Sequence, residues 1–404
     1  MTGPAGGQPM GVEIREYNAE QDARGVCDLL NEVFASARVS PEGWMRWTER
    51  GFTAPVARVK GRVAGAIPLF RRVYRVAPGA EVVAFVENRV GVAEPLRDQG
   101  IGTGMQACAK EFLRGRGDIL LVYRGAERSK GYRFYERNGL HDISYPLAVT
   151  LEPASASAPG TRWVSEDEFL SHAKLWHEIF AACYARFGGY PARHPGYLGD
   201  ILGSVTWREA MRQEFSHCVL EEGGRPIGYL VLGLRHGVLQ VMELAVLGGS
   251  PEAASALLAA ARGRGAPVRC YATRGCLLTP ALRRLGASFP ARETGAMMLM
   301  VHVLDIEAVA RKVWRDVPAL RDVEVRVWTP EREGLLHAPA NARRSVTLEL
   351  KEPTLARLLM RRLDVARAVS EEWITLAGDE PGDAEALSDA FDPCPWVYHP
   401  IDYL

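Results

Sequence analysis

The residues with the most telling chemical spacing are Arg97, Gly100 and Gly102. They lie in the run Val90-Gly91-Val92-Ala93-Glu94-Pro95-Leu96-Arg97-Asp98-Gln99-Gly100-Ile101-Gly102-Thr103-Gly104-Met105. A strand is expected to end near Val92 and a helix to begin after the glycines. That helix carries Met105, Cys108, Ala109, Phe112 and Leu113 at the i, i+3, i+4, i+7, i+8 spacing of a face packed on a sheet. The first N–H groups of a helix have no intrahelical acceptor, and the helix dipole places partial positive charge there. Glycines let a pyrophosphate approach those groups closely. Arg97 adds a cation beside the same anion. The segment therefore has the makings of an anion cradle, although a tight strand–helix turn without a ligand uses the same glycines.

Several elements must hold this loop in place. Val12 and Ile14 begin a strand. Asn18 is placed to cap a following helix, with Gln21 as its reciprocal partner. Val26, Leu29, Leu30 and Val33 share a face of that helix, and Trp44 and Trp47 share a face of the next. Strands are expected over 56–63, 64–76 and 82–92, the first turning at Lys60-Gly61. Another follows at 119–123. A short helix then ends at the C-cap pair Asn138-Gly139. Leu151 to Arg162, reading LEPASASAPGTR, is the clearest linker. Beyond it the order repeats: a helix over 169–187, a hairpin turning at Gly223-Gly224, a strand over 238–246, a helix over 251–262 and a strand over 268–272. After Asp305 the pattern changes. Ile306, Val309, Ala310 and Val313 form one helical stripe, and Leu355, Leu358, Leu359 and Leu363 another, with strands at 323–327 and 346–350. This is a third, smaller α+β domain.

In this context, with a strand before and an amphipathic helix after, Arg97-x-x-Gly100-x-Gly102 resembles the acyl-CoA pyrophosphate signature of the GNAT superfamily, (Gln/Arg)-x-x-Gly-x-(Gly/Ala). Gly131-Tyr132-Arg133-Phe134-Tyr135-Glu136-Arg137-Asn138-Gly139-Leu140 resembles the FYxxxGF element that follows the fifth strand of that superfamily. The order of domains resembles the Eis-type acetyltransferases. The resemblance implies α/β and α+β classes: two tandem GNAT-like mixed-sheet domains, 11–150 (acetyl-CoA-binding) and 163–300 (degenerate), and a small sterol-carrier-protein-like domain over 301–404. It is specific only over residues 86–140 and in the domain order.

The resemblance also implies roles. The product is an acetylated amine, in the family a small multi-amine molecule. Acetyl-CoA is the co-substrate, its pyrophosphate held by Arg97, Asp98, Gln99, Gly100, Ile101, Gly102 and Thr103 and its pantetheine aligned by Val90, Gly91 and Val92. Tyr135 protonates the departing thiolate, with Tyr132 in reserve. The base on the amine is the terminal carboxylate of Leu404 or, as in single-domain members, Glu87. Asp402 lies close enough in sequence to Leu404 to be confused with it. Trp44 and Trp47 border the acceptor cleft, where an aromatic wall suits a cation, and core packing is the competing expectation for them. A homo-oligomer, a hexamer in the family, follows by resemblance alone. The alternatives are a GNAT-fold enzyme using another acyl-CoA, and a non-catalytic CoA or ligand binder. The second domain has Leu247-Gly248-Gly249-Ser250-Pro251-Glu252 where the first has its loop. Glu252 puts a carboxylate where phosphate would sit, so that domain is expected to be structural.

Composition narrows the remaining classes. Lys+Arg number 49 and Asp+Glu 49, so the formal net charge is zero and gives no whole-chain field for nucleic acid or an anionic membrane. The alternating basic run Arg71-Arg72-Val73-Tyr74-Arg75 is expected to be a solvated strand face. Seven scattered cysteines without C-x-x-C spacing point to buried thiols in a reducing cytoplasm, and no metal is expected. The sequence contains neither H-E-x-x-H nor G-x-S-x-G. No apolar stretch is long enough to cross a bilayer.

Overall fold

The computed structural model describes residues 11–35, 38–48, 52–124, 130–155, 158–204, 213–273, 275–289, 298–378 and 380–402. The first part of the chain forms β1 (Val12–Glu16), α1 (Ala19–Val33), α2 (Pro41–Thr48), β2 (Phe52–Thr53), β3 (Pro55–Val59), β4 (Arg62–Ala66), β5 (Leu69–Ala77), β6 (Ala80–Glu87), β7 (Gly91–Val92), α3 (Ile101–Leu113), β8 (Ile119–Arg124), α4 (Lys130–Arg137), β9 (His141–Ser144) and β10 (Leu147–Leu151). Next come β11 (Thr161–Val164), α5 (Glu166–Ser171), α6 (Ala173–Cys183), β12 (Tyr190–Pro191), α7 (Tyr197–Leu202), β13 (Glu214–Glu222), β14 (Arg225–Arg235), β15 (Val238–Val246), α8 (Pro251–Arg262), β16 (Val268–Ala272), α9 (Leu278–Arg284) and β17 (Met298–Val303). The last part has α10 (Ile306–Val313), β18 (Val323–Trp328), β19 (Glu333–His337), β20 (Arg344–Leu350), α11 (Glu352–Leu359), α12 (Val365–Ser370), β21 (Ile374–Ala377) and α13 (Asp383–Ala390). The fold is mixed α/β, with four sheets among the described residues. None of the described helices is long and apolar enough to cross a membrane.

Local chemistry sets several of these boundaries. Asn18 caps α1, accepting from Glu20 N and Gln21 N. The reciprocal partner is Asp22 rather than Gln21: the Asn18 N–H donates to Asp22 Oδ2 at 2.8 Å, and Arg15 and Arg58 bind the same carboxylate. The carboxyl group of Asp22 stays below its ordinary range because those bonds outweigh its burial. At the other end of the first part, Gly139 (φ 70°) closes α4, with Leu140 N bonding back to Tyr135 O.

Sheet membership crosses the boundaries at 150 and 300 expected from the linker and the repeat. β10 lies before the linker but pairs with β16, in the six-stranded order β10-β16-β15-β14-β13-β11. β17 lies at the end of the repeat but inserts between β8 and β9, in the order β12-β5-β6-β8-β17-β9. Alternating apolar residues specify a strand and its buried face but not its neighbour, so this exchange has no signature in either segment.

The C-terminal tail ties these sheets together. Gly188 N–H donates to Pro395 O and Val397 N–H to Gly188 O, while Trp396 Nε1 donates to Val76 O of β5 at 2.8 Å. Thr273 Oγ1 donates to Trp396 O. Further along, Asp402 is buried, accepting from Tyr197 Oη and Arg193 Nη2, each at 2.8 Å. Arg193 also pairs with Glu243 of β15 and lies over the rings of Phe180 and Tyr197. All seven cysteines are free thiols, and six are buried.

Candidate active site

The site begins where two parallel strands part. β6 and β8 pair from Ala84↔Ile119 to Glu87↔Val122. Beyond that point Gly91 and Val92 turn away to pair with Ala66 and Gly65 of β4, while β8 runs on to Arg124 beside β17. Arg89 takes a left-handed backbone (φ 52°) at the divergence. Diverging parallel strands open a crevice at their carboxyl ends, the usual ligand position in such sheets.

The loop from Arg97 to Gly100 connects this crevice to α3. Arg97, Asp98, Gln99, Gly100 and Thr103 are exposed, and Ile101 is buried. Arg97 Nε donates to Val92 O at 3.1 Å, which anchors the guanidinium stem to the departing strand. Gln99 Nε2 donates to Pro95 O. Gly100 (φ 79°) forms the N-cap without a side-chain cap, in open space, and the first turn of α3 has no acidic residue. The first N–H groups of α3 therefore follow a glycine N-cap that brings no side-chain cap, in a first turn that carries no acidic residue. The glycines that follow have another cause. A Cβ on Gly102 would stand 2.9 Å from Phe134 Cε2, and one on Gly104 2.7 Å from Ile14 Cδ1, so both are packing glycines.

The equivalent helix of the second half is closed. Ser250 Oγ accepts from Ala253 N at 3.2 Å, and Pro251 supplies no N–H. Glu252 takes a bond from its own N–H and from Ser250 Oγ and pairs with Arg284, so its carboxyl group stays below the ordinary range. The expected carboxylate at that helix start is present and already partnered.

Glu87 sits at the last paired position of β6, buried. Gln106 Nε2 of α3 donates to its Oε2 at 2.7 Å. Burial pushes the Glu87 carboxyl up to about 7, against the opposing pull of Gln106 and the Lys110 charge. Lys110 Nζ donates to Asn138 O, at the end of α4. Gln106 and Lys110 were not among the residues expected at the site. Both interrupt the edge of an apolar stripe, and a polar residue there normally reads as solvated.

Tyr135 is partly buried on α4, packed with Val122, Leu140 and Met300, the last brought in by the exchanged strand β17. The Arg124 guanidinium lies 5.8 Å from its ring centroid. Tyr132, the reserve candidate, donates to Asp142 Oδ2 at 3.0 Å, and Tyr145 Oη donates to the same atom at 2.8 Å. Burial raises the Asp142 carboxyl above its usual range while those two bonds oppose it. Of the two expectations for Trp44, the structure favours core packing: it is 2 % exposed and meets Phe52 edge-on at 4.9 Å. The side chain of Trp47 and all of Leu404 lie outside the described residues.

Comparison with solved structures bears on the fold. The chain aligns with a protein of unknown function from Enterococcus faecalis, described as a probable N-acyltransferase, at TM-score 0.69 and 13 % identity, covering 96 % of this chain and 99 % of that one. It aligns with a GCN5-related N-acetyltransferase from Kribbella flavida at TM-score 0.67 and 16 % identity, covering 97 % and 100 %. This chain has the GCN5-related N-acetyltransferase fold. Eis1 from Mycobacterium abscessus shares the fold at TM-score 0.61 and 14 % identity, covering 96 % and 99 %. No family model and no curated protein matches the sequence.

Proposed function

We propose that this protein is an N-acetyltransferase that moves an acetyl group from acetyl-CoA to a primary amine, in the Eis-like case one on a small multi-amine molecule. The observation that carries the reading is the open start of α3 at the parting of β6 and β8, with Glu87 and Tyr135 on elements packed against the same helix. The pyrophosphate binds the first N–H groups of α3 and Arg97. The pantetheine lies along residues 90–92, where β7 leaves β8. The amine nitrogen attacks the thioester carbonyl carbon, and the C–S bond breaks as the C–N bond forms. Glu87 takes the amine proton through a water, and Tyr135 gives its phenolic proton to the thiolate. A carboxyl group poised near 7 suits the first task, and a phenol, which keeps its proton at neutral pH, suits the second. The second half of the chain holds no second acetyl-CoA on this reading, because Ser250, Pro251 and Glu252 occupy its helix start.

The test is a calorimetric titration of acetyl-CoA into the wild type and into Thr103→Glu. Thr103 is exposed at the third position of α3, so a glutamate there suits the helix dipole while repelling phosphate. One site per chain, weakened at least tenfold in a variant that melts no lower than the wild type, supports the reading and justifies an amine screen. A folded wild type that binds no acetyl-CoA overturns it.

A further inference from the structure

Positions 102, 106 and 110 follow one another at intervals of four along α3 and so lie on one side of the helix. Each touches a different part of the site. Gly102 lies against Phe134, the neighbour of Tyr135. Gln106 holds Glu87 through the 2.7 Å bond. Lys110 holds the carbonyl of Asn138, where α4 ends. The adjacent row, Ile101, Met105, Ala109 and Leu113, is buried in the apolar core over the sheet. One row thus fixes the helix on the sheet, and the other joins the phosphate loop, the carboxyl group and the tyrosine helix.

The middle of that second row is unusual. Gln106 is fully buried, and Glu87 is 3 % exposed. Beyond their mutual bond, Glu87 Oε1 and Gln106 Oε1 have no donor among the described residues. Burying two acceptor oxygens without donors is unfavourable, so such a pair in a native protein calls for a purpose. Two such acceptors on bonded neighbours are the complement of a donor, a water or an amine N–H.

We propose that Gln106 is the positioning residue of Glu87, holding the carboxylate in one orientation through Nε2 and leaving Oε1 turned to the proton it receives. The proposal rests on the acetyltransferase reading for its catalytic meaning, but not for the coupling of the two side chains. A hydrogen bond donated to the ionised form favours that form. Removing it makes Glu87 a stronger proton acceptor that is charged over a narrower range of pH.

The experiment is a pH titration by NMR of the full chain with labelled glutamate and glutamine side chains, with Glu87→Gln identifying the Glu87 signal. In the wild type the Gln106 Nε2 resonances should follow the Glu87 carboxyl carbon through one shared midpoint. Gln106→Met, similar in length and without a donor, should raise the Glu87 midpoint by about one pH unit or more, a tenfold gain in proton affinity. The acid limb of the pH profile of kcat/KM should move with it, while the acetyl-CoA Kd stays within about twofold. Gln106 resonances that stay flat while Glu87 titrates overturn the proposal, and this arm needs no variant of Gln106. A midpoint or an acid limb unmoved in Gln106→Met overturns it too. A wild type that binds no acetyl-CoA removes the proposed function instead, and the shared titration still decides the coupling.

Discussion

A Cβ added to Gly102 would come within 2.9 Å of Cε2 of Phe134, so the start of α3 and the ring beside Tyr135 touch with no room for a methyl group. Gly102→Ala should therefore destabilise the fold by about 1–3 kcal/mol through overpacking. Thr103→Ala, next to it and exposed, should change stability by about 0.5 kcal/mol or less. Urea unfolding of both variants checks this, and equal midpoints would show that Phe134 yields freely.

Tyr132 and Tyr135 share a helix and the nearby Arg124 guanidinium, and Tyr132 also donates to Asp142. Tyr135→Phe removes the proposed acid and should lower kcat by about 10²- to 10⁴-fold with little change in acetyl-CoA affinity. Tyr132→Phe removes a bond to the partly buried Asp142 and should cost about 1 kcal/mol of stability with kcat largely retained. Steady-state kinetics and thermal melts of the pair separate the roles. The reverse pattern would transfer the acid to Tyr132.

Glu87 makes a pH prediction of definite sign. Its carboxyl group titrates about 7 in the folded chain against an ordinary 4.5, so the native state holds a proton that the unfolded state has released between those values. Its stabilising contribution is fully present below about pH 4.5 and is lost as pH rises to 7, a change of about 3 kcal/mol for a shift of that size. Glu87→Gln cannot titrate, so its stability relative to the wild type should improve steadily across pH 4.5–7 and level off above. Denaturant midpoints at half-unit intervals test this, and a constant difference would place the raised midpoint elsewhere. The acid limb of the rate profile should vanish in the same variant.

Arg193 stands between Glu243 and Asp402, its side chain 3 % exposed. Arg193→Leu leaves two buried carboxylates without their cation and should cost about 3–5 kcal/mol. Replacing all three residues with apolar ones of similar size should restore most of that loss. Chemical denaturation of the single and triple variants decides this, and equal losses would mean that the ion group is needed as such.

Much of the site was legible from local pattern. The glycines at 100 and 102, the stripe of α3 and the Asn138-Gly139 cap are short-range signals, and the structure places the loop, the helix and the end of α4 where those signals lie. Long-range partnership was not legible. Gln106 meets Glu87 only because α3 lies across β6, and no spacing in the chain connects 106 with 87. Arg193, Glu243 and Asp402 come from three distant stretches, and no spacing in the chain connects them. Trp44 was ambiguous because an aromatic residue on a helix serves a core or a cleft equally well until its neighbours are known. The exchange of β10 and β17 was hidden because a strand carries no record of which edge it joins.

That exchange also sets a timetable for synthesis. The sheet that carries Glu87 and underlies Tyr135 is missing a central strand until the ribosome has passed Met298, 174 residues after Arg124 (298 − 124). At about 5–20 residues per second the delay is on the order of ten to thirty seconds. During that interval the β8 edge waits unpaired beside β9 segments of its own chain and of neighbouring nascent chains. Throughout that interval the gap reserved for β17 is open to a wrong strand.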